Sequence, residues 1–501
     1  MDLSTVLDMA TDGFGDRVVV GTRSAGLTAN RLRELAIGGA TAVTAAGADA
    51  LVYLATGGVT FPVALFAAAR AGVPFVPLNY RLGTQQLEQL VANHPKALVV
   101  ADPGHTALLE RAGVTVRSPE DFLDAAASAA TADAAAGVVD PESPAVIIYT
   151  SGTTSVPKGV LLRHANLVSY LVSTVEFGSA AESDTALVSV PPYHIAAVSN
   201  TLTNLYAGRR VVVLDAFAPA GWLDRVRAEQ VTNALVVPTM LARIMDEPDL
   251  DRSVPSLRTL AYGGAPMPAR IVEQALREWP DVDFVNAYGL TETSSTISVL
   301  GPQEHRAAVT SPDPAVRARL SSVGRPVPGI ELEVRADDGA VAPPGASGKI
   351  WVRGAQISTE YAGSGPSVDA GGWFDTRDRG RVDPDGYLFV EGRMDDTIIR
   401  GAENIAPAEI EDVLLRHPDV ADAVVVGVPD EEWGQRLEAV VVPRAGTALG
   451  ADELEGLRQS VRASLRSSKT PERIECWPEL PRTPTGKLVR RDVVHRLSDP
   501  R

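Results

Sequence analysis

Short apolar runs recur through the first three-fifths of the chain and alternate with segments of helical periodicity, a pattern that few architectures satisfy. The runs lie at residues 75–77, 97–101, 145–149, 210–214, 233–237, 259–262 and 284–286, with helical stretches at 62–71, 221–229 and 268–278. A strand apolar at successive positions is buried on both faces, and strands alternating with helices pair in parallel. The pattern therefore predicts an α/β fold, a large N-terminal domain of doubly wound αβ subdomains. From 324 to 390 it changes to short strands at 330–334, 349–352 and 387–390, broken by Asp338-Gly339 and Asp385-Gly386 turns, which predicts a small β-rich subdomain. After Arg393 a helix at 407–417, strands at 420–428 and 437–443, a helix at 451–465 and a last strand predict a small, mobile α+β C-terminal domain. At 501 residues the chain exceeds what one core supports. The expected division is 1–393, with the β-rich part at about 324–393, and 394–501. The alanine-rich stretch 124–137 is expected to connect two lobes, and the polar stretch 301–321 to be mobile surface.

One turn carries chemistry. Behind the apolar run 145–148 stands Tyr149-Thr150-Ser151-Gly152-Thr153-Thr154-Ser155-Val156-Pro157-Lys158-Gly159-Val160. Small residues let backbone N–H groups approach phosphate oxygens, the hydroxyls add donors, and Lys158 supplies a point charge. Its spacing differs from a Walker loop, because Pro157 and Lys158 precede a glycine and a strand-like run and no helix. Taken alone, the segment reads equally as a Gly/Thr-rich surface turn.

Further segments follow in a fixed order: Pro192-Tyr193-His194, Gly263-Gly264-Ala265-Pro266, Asn286-Ala287-Tyr288-Gly289-Leu290-Thr291-Glu292-Thr293, Gly372-Trp373-Phe374-Asp375-Thr376-Arg377-Asp378, Gly392-Arg393-Met394-Asp395-Asp396, Arg400-Gly401-Ala402-Glu403-Asn404 and Pro481-Arg482-Thr483-Pro484-Thr485-Gly486-Lys487. Together they resemble the adenylate-forming superfamily of acyl-CoA synthetases, luciferases and peptide-synthetase adenylation domains. The resemblance runs from about Leu51 to Lys487.

That resemblance implies a reaction in which a carboxylate attacks the α-phosphorus of ATP, forming an acyl-adenylate and pyrophosphate, with Mg²⁺ as cofactor and CoA as second substrate. It implies that Thr150, Ser151, Gly152, Thr153, Thr154 and Lys158 wrap the phosphates, that Thr291 touches the α-phosphate, and that Glu292, with Thr150, holds Mg²⁺. Adenine would lie on Tyr288 beside Gly264, Ala265, Pro266, Asn286, Ala287 and Gly289. Asp378 would accept the ribose hydroxyls with Arg393 assisting. Lys487 would bridge the substrate carboxylate and the α-phosphate, screening two anions. A hinge at Asp395 would then withdraw it and bring Gly401, Ala402 and Glu403 to the thiol channel. Two positions depart from the pattern: Ser155 and Arg377 stand where glycine is usual. At Arg377 the β-carbon demands either a less strained turn or a positive φ held at a cost.

His194 reads either as a satisfied, half-buried imidazole or, by resemblance, as a substrate-positioning residue. A general base is not needed, since a carboxylate is ionised at neutral pH. Ala197, Thr239, Gly263 and Gly289 complete the expected acid site. The small or apolar residues around them, without arginine or lysine, point to an apolar monocarboxylate, medium- or long-chain fatty acids ahead of aryl acids. Segments Ser322-Val323-Gly324-Arg325-Pro326 and Gly427-Val428-Pro429-Asp430 resemble stand-alone acid–CoA ligases. The alternative is an adenylation enzyme that loads a separate carrier protein.

Composition excludes other classes. With 46 Lys+Arg against 63 Asp+Glu the net charge is −17, which opposes binding to nucleic acid or anionic lipid and leaves any anionic ligand to local groups. The lone Cys476 excludes a disulfide framework, fits a reducing, cytoplasmic setting and is expected to be a packing residue. The start Met1-Asp2-Leu3-Ser4 lacks the blocks of a signal peptide. The longest apolar stretch, 59–78, is too interrupted by proline, glycine and arginine to span a membrane.

Overall fold

The computed structural model describes residues 1–130, 139–150, 157–363, 365–400, 403–430, 433–465, 467–483 and 488–498. Among these, two large sheets dominate. In the nine-stranded sheet, Val18–Val20, Arg210–Val213, Thr185–Val188, Asn233–Val236, Thr259–Gly263 and Asp283–Leu290 are neighbours in that order and all parallel. Antiparallel strands Ser295–Leu300 and Leu27–Thr28 flank this block. In the six-stranded sheet, Thr115–Arg117, Leu98–Ala101, Leu51–Leu54, Phe75–Pro77 and Pro144–Thr150 are parallel, and Lys158–Arg163 returns antiparallel at the edge. The apolar runs are thus the central strands, and the doubly wound reading holds.

Helices Leu3–Phe14, Ala29–Ala45, Thr60–Ala71, His164–Thr174 and Ile195–Ala207 fill the space between the two sheets, in one core that joins Val19, Val188 and Val211 to Leu51, Phe75 and Val146. The stretch that resembled a broken membrane segment is the innermost helix here. Every residue from Thr60 to Arg70 is buried, and the one charge, Arg70, pairs with Asp8. Among the described residues no helix is long and apolar enough to cross a membrane.

Three sequence expectations need correction. The alanine-rich stretch does not connect lobes: it begins inside helix Pro119–Ala129, between two strands of the same sheet. Its alanines allow close packing, since a β-carbon on Gly38 of the neighbouring helix would fall 1.8 Å from the Ala126 carbonyl oxygen. The stretch 301–321 is helices Pro302–Thr310 and Pro314–Ala318 with a 3₁₀ turn, and it buries His305 and Ala308 completely. Cys476 is exposed at the end of strand Arg473–Cys476 and does not pack.

The β-rich unit is an antiparallel meander of Glu331–Arg335, Gly348–Arg353, Phe374–Val382 and Leu388–Arg393. The C-terminal unit contains strands Val420–Asp430, Gly434–Pro443 and Arg473–Cys476, packed on one face by Pro407–Leu415 and Ala451–Ser464 and on the other by Arg490–Ser498. A hairpin of Ile398–Arg400 and Glu403–Ile405 precedes it.

Candidate functional site

Four of the sequence segments leave the carboxyl ends of adjacent parallel strands. Thr185–Val188 leads to Pro192-Tyr193-His194, Asn233–Val236 to Thr239, Thr259–Gly263 to Gly264-Ala265-Pro266, and Asp283–Leu290 to the 3₁₀ turn Thr291–Thr293. In open α/β sheets this edge is where strand ends leave a crevice for a ligand. In the second sheet Pro144–Thr150 leads toward the Gly/Thr-rich segment and Lys158 begins the return strand, opposite Thr150 in register. The Thr150 hydroxyl donates to the Lys158 carbonyl oxygen at 3.5 Å. Lys158 is exposed.

Two hydroxyl–carboxylate pairs organise the site. Tyr288 donates to Asp378 Oδ2 at 2.5 Å, and Arg393, its cross-strand partner, donates to Asp378 Oδ1 at 3.0 Å. Asp378 is 4% exposed, and burial pushes its carboxyl above the ordinary aspartate value while Arg393 and Tyr288 pull it back. Burial, then the Asp378 charge, push the Tyr288 phenol far above its ordinary value, so it remains a donor.

The second pair is Tyr361 and Glu292. The Tyr361 hydroxyl donates to Glu292 Oε1 at 3.0 Å, and the Lys158 ammonium lies 5.7 Å from the centre of the same ring. Burial, then Glu292, push this phenol upward too, opposed by the charges of Arg377 and Arg393. Tyr361 thus stands between the lysine of one sheet and the acid of the other. Its segment is fastened on both sides. Gln356 donates to the Thr293 and Thr296 carbonyls at 2.9 Å, and Ser358 donates its N–H to the Glu292 carbonyl at 2.7 Å and its hydroxyl to Leu161 at 2.6 Å. Sequence reasoning missed this segment. Its signal is a pair of polar residues, Gln356 and Ser358, that are 2% and 1% exposed around the buried Ile357.

Remaining sequence candidates fall as follows. Gly263 and Gly289 are places of close approach, where a β-carbon would meet the Ala287 carbonyl oxygen at 2.1 Å and that of Ser295 at 1.8 Å. Gly264, Ala265 and Pro266 form an exposed rim. The Asn286 amide donates to the Ser322 carbonyl at 3.0 Å, and Ala287 is half-buried beside it. His194 is half-buried at the start of helix Ile195–Ala207, its ring 4.7 Å from that of Tyr193. Thr239 is exposed, Ala197 is 1% exposed within the core, and its neighbour Ala196 is half-buried. Asp395 falls in the 3₁₀ turn Met394–Asp396 and Glu403 in the hairpin strand. Ser151, Gly152, Thr153, Thr154, Ser155, Gly401, Ala402 and Lys487 lie outside the described residues.

Arg377 resolves the choice left open by its sequence. Its φ is +59°, and its N–H donates to Asp375 Oδ1 at 2.8 Å. The left-handed backbone is kept at a cost of about 1 kcal/mol relative to glycine.

Metal fit follows from the donors. Among the described residues there is no group of three His, Cys, Asp or Glu side chains that could hold a metal. Glu292, half-buried with Tyr361 on one oxygen, suits Mg²⁺, which binds through one carboxylate plus ligand phosphates.

Comparison with known proteins agrees over nearly the whole chain. The family profile described as AMP-binding enzyme matches residues 9–362, and that of the AMP-binding enzyme C-terminal domain matches 409–487. A fatty acid–[acyl-carrier-protein] ligase of Streptomyces coeruleorubidus is 33% identical over 463 residues, 90% of this chain and 87% of its own. A feruloyl-CoA synthase of an Amycolatopsis species is 35% identical over 457 residues, 90% of this chain and 89% of its own. The o-succinylbenzoate CoA synthetase of Bacillus subtilis, solved with its acyl-adenylate intermediate, superposes with a TM-score of 0.83 at 27% identity, covering 99% of this chain and 98% of that one.

Proposed function

Because the chain belongs to the AMP-binding enzymes, the adenylate-forming superfamily of ATP-, Mg²⁺- and CoA-dependent acid–thiol ligases, we propose how its residues divide that work and which acid they take. The observation that carries the division is the convergence of Tyr288–Asp378 and Tyr361–Glu292 on one strand-end crevice, with Lys158 beside Tyr361.

Asp378, held by Tyr288 and Arg393, accepts the ribose hydroxyls, and Tyr288 offers its ring to adenine above the rim Gly264–Ala265–Pro266. Thr150, Lys158 and the loop between them take the phosphates and Thr291 the α-phosphate, while Glu292, with Thr150, would hold Mg²⁺, which when bound would supply positive charge beside the phosphates. The substrate carboxylate oxygen bonds to the α-phosphorus as the bond to pyrophosphate breaks. In this step preorganised donors supply the large electrostatic share of catalysis. Lys487 screens the two anions during attack. In the second step the CoA sulfur bonds to the acyl carbon, AMP leaves, and the thiol proton passes to solvent. For that step we assign residues 394–501 as the moving domain, with Asp395 the hinge and Gly401, Ala402 and Glu403 the loop it brings in. Residues 1–393 form the nucleotide domain.

The acid is an apolar monocarboxylate, a medium- or long-chain fatty acid first. Support comes from Ala196, Val237 and Gly263 at the crevice and from the fatty-acid relative, with His194 positioning the carboxylate. The feruloyl relative favours aryl acids as the second reading. CoA is the thiol, and the carrier-protein relative makes a phosphopantetheinyl carrier the alternative acceptor. The lone cysteine supports a cytoplasmic setting. A panel of fatty and aryl acids, assayed by pyrophosphate release with CoA, with a carrier protein and with neither, tests both choices. Turnover of aryl acids alone would replace the fatty-acid reading, and acceleration by the carrier but not by CoA would replace CoA.

A further inference from the structure

Arg377 stands at the apex of a bulge beside the nucleotide crevice. Across the meander Lys349 pairs with Arg379 and Trp351 with Asp375, so the single residue Ile350 faces Thr376, Arg377 and Asp378. Both flanks are fixed. The buried Thr376 donates its hydroxyl to the Ile350 carbonyl at 2.9 Å, and Asp378 is held by Tyr288 and Arg393. Between these anchors the backbone must turn left-handed, which glycine does without strain and arginine does not. Bulges of this kind re-aim a side chain, and strain kept at a functional edge points to a use for the side chain that causes it.

The guanidinium is exposed and makes no hydrogen bond or ion pair with any described residue. Other cations of the site are partly committed: Arg393 is paired with Asp378. Two carboxylates, Asp378 and Glu292, face the crevice in a chain of net charge −17, so the field there opposes a polyphosphate unless local cations offset it. The charge of Arg377 does reach this place, since it acts on the Tyr361 hydroxyl that holds Glu292.

We propose that Arg377 is a phosphate ligand of the bound nucleotide, its guanidinium joining the Lys158 ammonium in holding the polyphosphate of ATP. The planar fork suits phosphate oxygens in a way that a glycine at this turn cannot, and its benefit appears as nucleotide affinity. The inference rests on the nucleotide reading above.

Its test is Mg²⁺-ATP binding by calorimetry, which needs no acid and no turnover, on the full-length wild type, Arg377→Gly and Arg377→Lys, together with KM for ATP and for the acid. Arg377→Gly should raise both the ATP dissociation constant and the ATP KM about tenfold, with acid KM little changed. It should also raise the melting temperature, because the backbone strain is relieved. Arg377→Lys, which keeps the charge and loses the fork, should fall between the two. Unchanged or tighter ATP binding in Arg377→Gly would overturn the assignment while leaving the nucleotide reading intact. A wild type that binds no ATP would overturn both.

Discussion

Tyr361 donates its hydroxyl to Glu292 Oε1 at 3.0 Å, joining two residues 69 positions apart that the sequence never suggests are partners. Glu292 sits at the end of a strand of the larger sheet. Tyr361 bridges through its backbone to Val160 of the other sheet, so the acid is oriented from across the crevice.

Removing that hydroxyl should loosen the metal site and leave the fold intact. Tyr361→Phe keeps the ring beside Lys158 but leaves Glu292 unheld. The expected result is a several-fold higher Mg²⁺ concentration for half-maximal pyrophosphate release, with kcat down by about tenfold. A Mg²⁺ titration of both proteins decides the point: superimposable curves would make Tyr361 a strut only.

Tyr288→Phe should act on nucleotide binding. It deletes the 2.5 Å bond to a buried carboxylate that, among the described residues, then keeps only Arg393 as side-chain donor. Because bonds to charged groups are worth about 1.5–3 kcal/mol, ATP KM should rise about tenfold or more while acid KM stays near wild type. An equal rise in both constants would place Tyr288 outside the ribose–adenine contact.

The order of the αβ units was readable because strands buried on both faces must be apolar at successive positions, as Phe75–Pro77 and Leu98–Ala101 are, and the Gly/Thr loop follows such a strand, whereas Leu51–Leu54 and Thr185–Val188 went unread. Helix Pro119–Ala129 was misread because alanine composition alone does not say whether a stretch packs against Gly38 or links lobes. The segment at Gln356–Tyr361 was invisible for another reason. Its contacts span the fold, as in the Ser358–Leu161 bond across 197 residues, and no local periodicity encodes a partner at that distance. Asp378, Glu292 and Tyr288 were visible as motif members, but the pairing of Tyr288 with Asp378, and Tyr361 altogether, are set by topology.

Acid should destabilise the protein through its buried histidines. His305 is fully buried, its Nδ1 2.7 Å from the Gly301 carbonyl oxygen, to which it donates, and its Nε2 2.8 Å from the Tyr262 hydroxyl, which donates to it when the ring is neutral. Burial lowers its pKa below the ordinary 6.5, as it does for His164 and His94. Below 6.5 and down to the folded values, the unfolded chain takes up protons that the folded protein refuses. The stabilisation is complete above that window and is lost as pH falls through it. Melting temperature should therefore drop as pH falls below the ordinary histidine value of 6.5, and less steeply in His305→Gln. Identical slopes in the two proteins would exclude His305 as a contributor.

An ion pair joins the C-terminal unit to the larger lobe. Asp246, at the end of helix Pro238–Asp246, forms an ion pair with Arg444 at 2.9 Å and accepts from Arg270 at 3.2 and 3.3 Å. Arg270 belongs to the same lobe as Asp246, whereas Arg444 follows strand Gly434–Pro443 and also donates to the Pro418 carbonyl at 2.7 Å. The Asp246–Arg444 pair thus stabilises one orientation of the C-terminal unit. If the two half-reactions use different orientations, Arg444→Gln must favour one at the expense of the other. An exposed pair is worth roughly 0.2–1 kcal/mol, so the half-reaction made in the observed orientation should slow by up to about fivefold and the other should gain. Both are measurable: adenylation as pyrophosphate exchange, thioester formation from supplied acyl-adenylate and CoA. Lys487→Ala sets the scale, since it should lower only adenylation, by roughly a hundredfold or more, and leave thioester formation standing. Parallel changes in both half-reactions for both variants would mean that one fixed arrangement serves both steps, with the Asp246–Arg444 pair merely part of its scaffold.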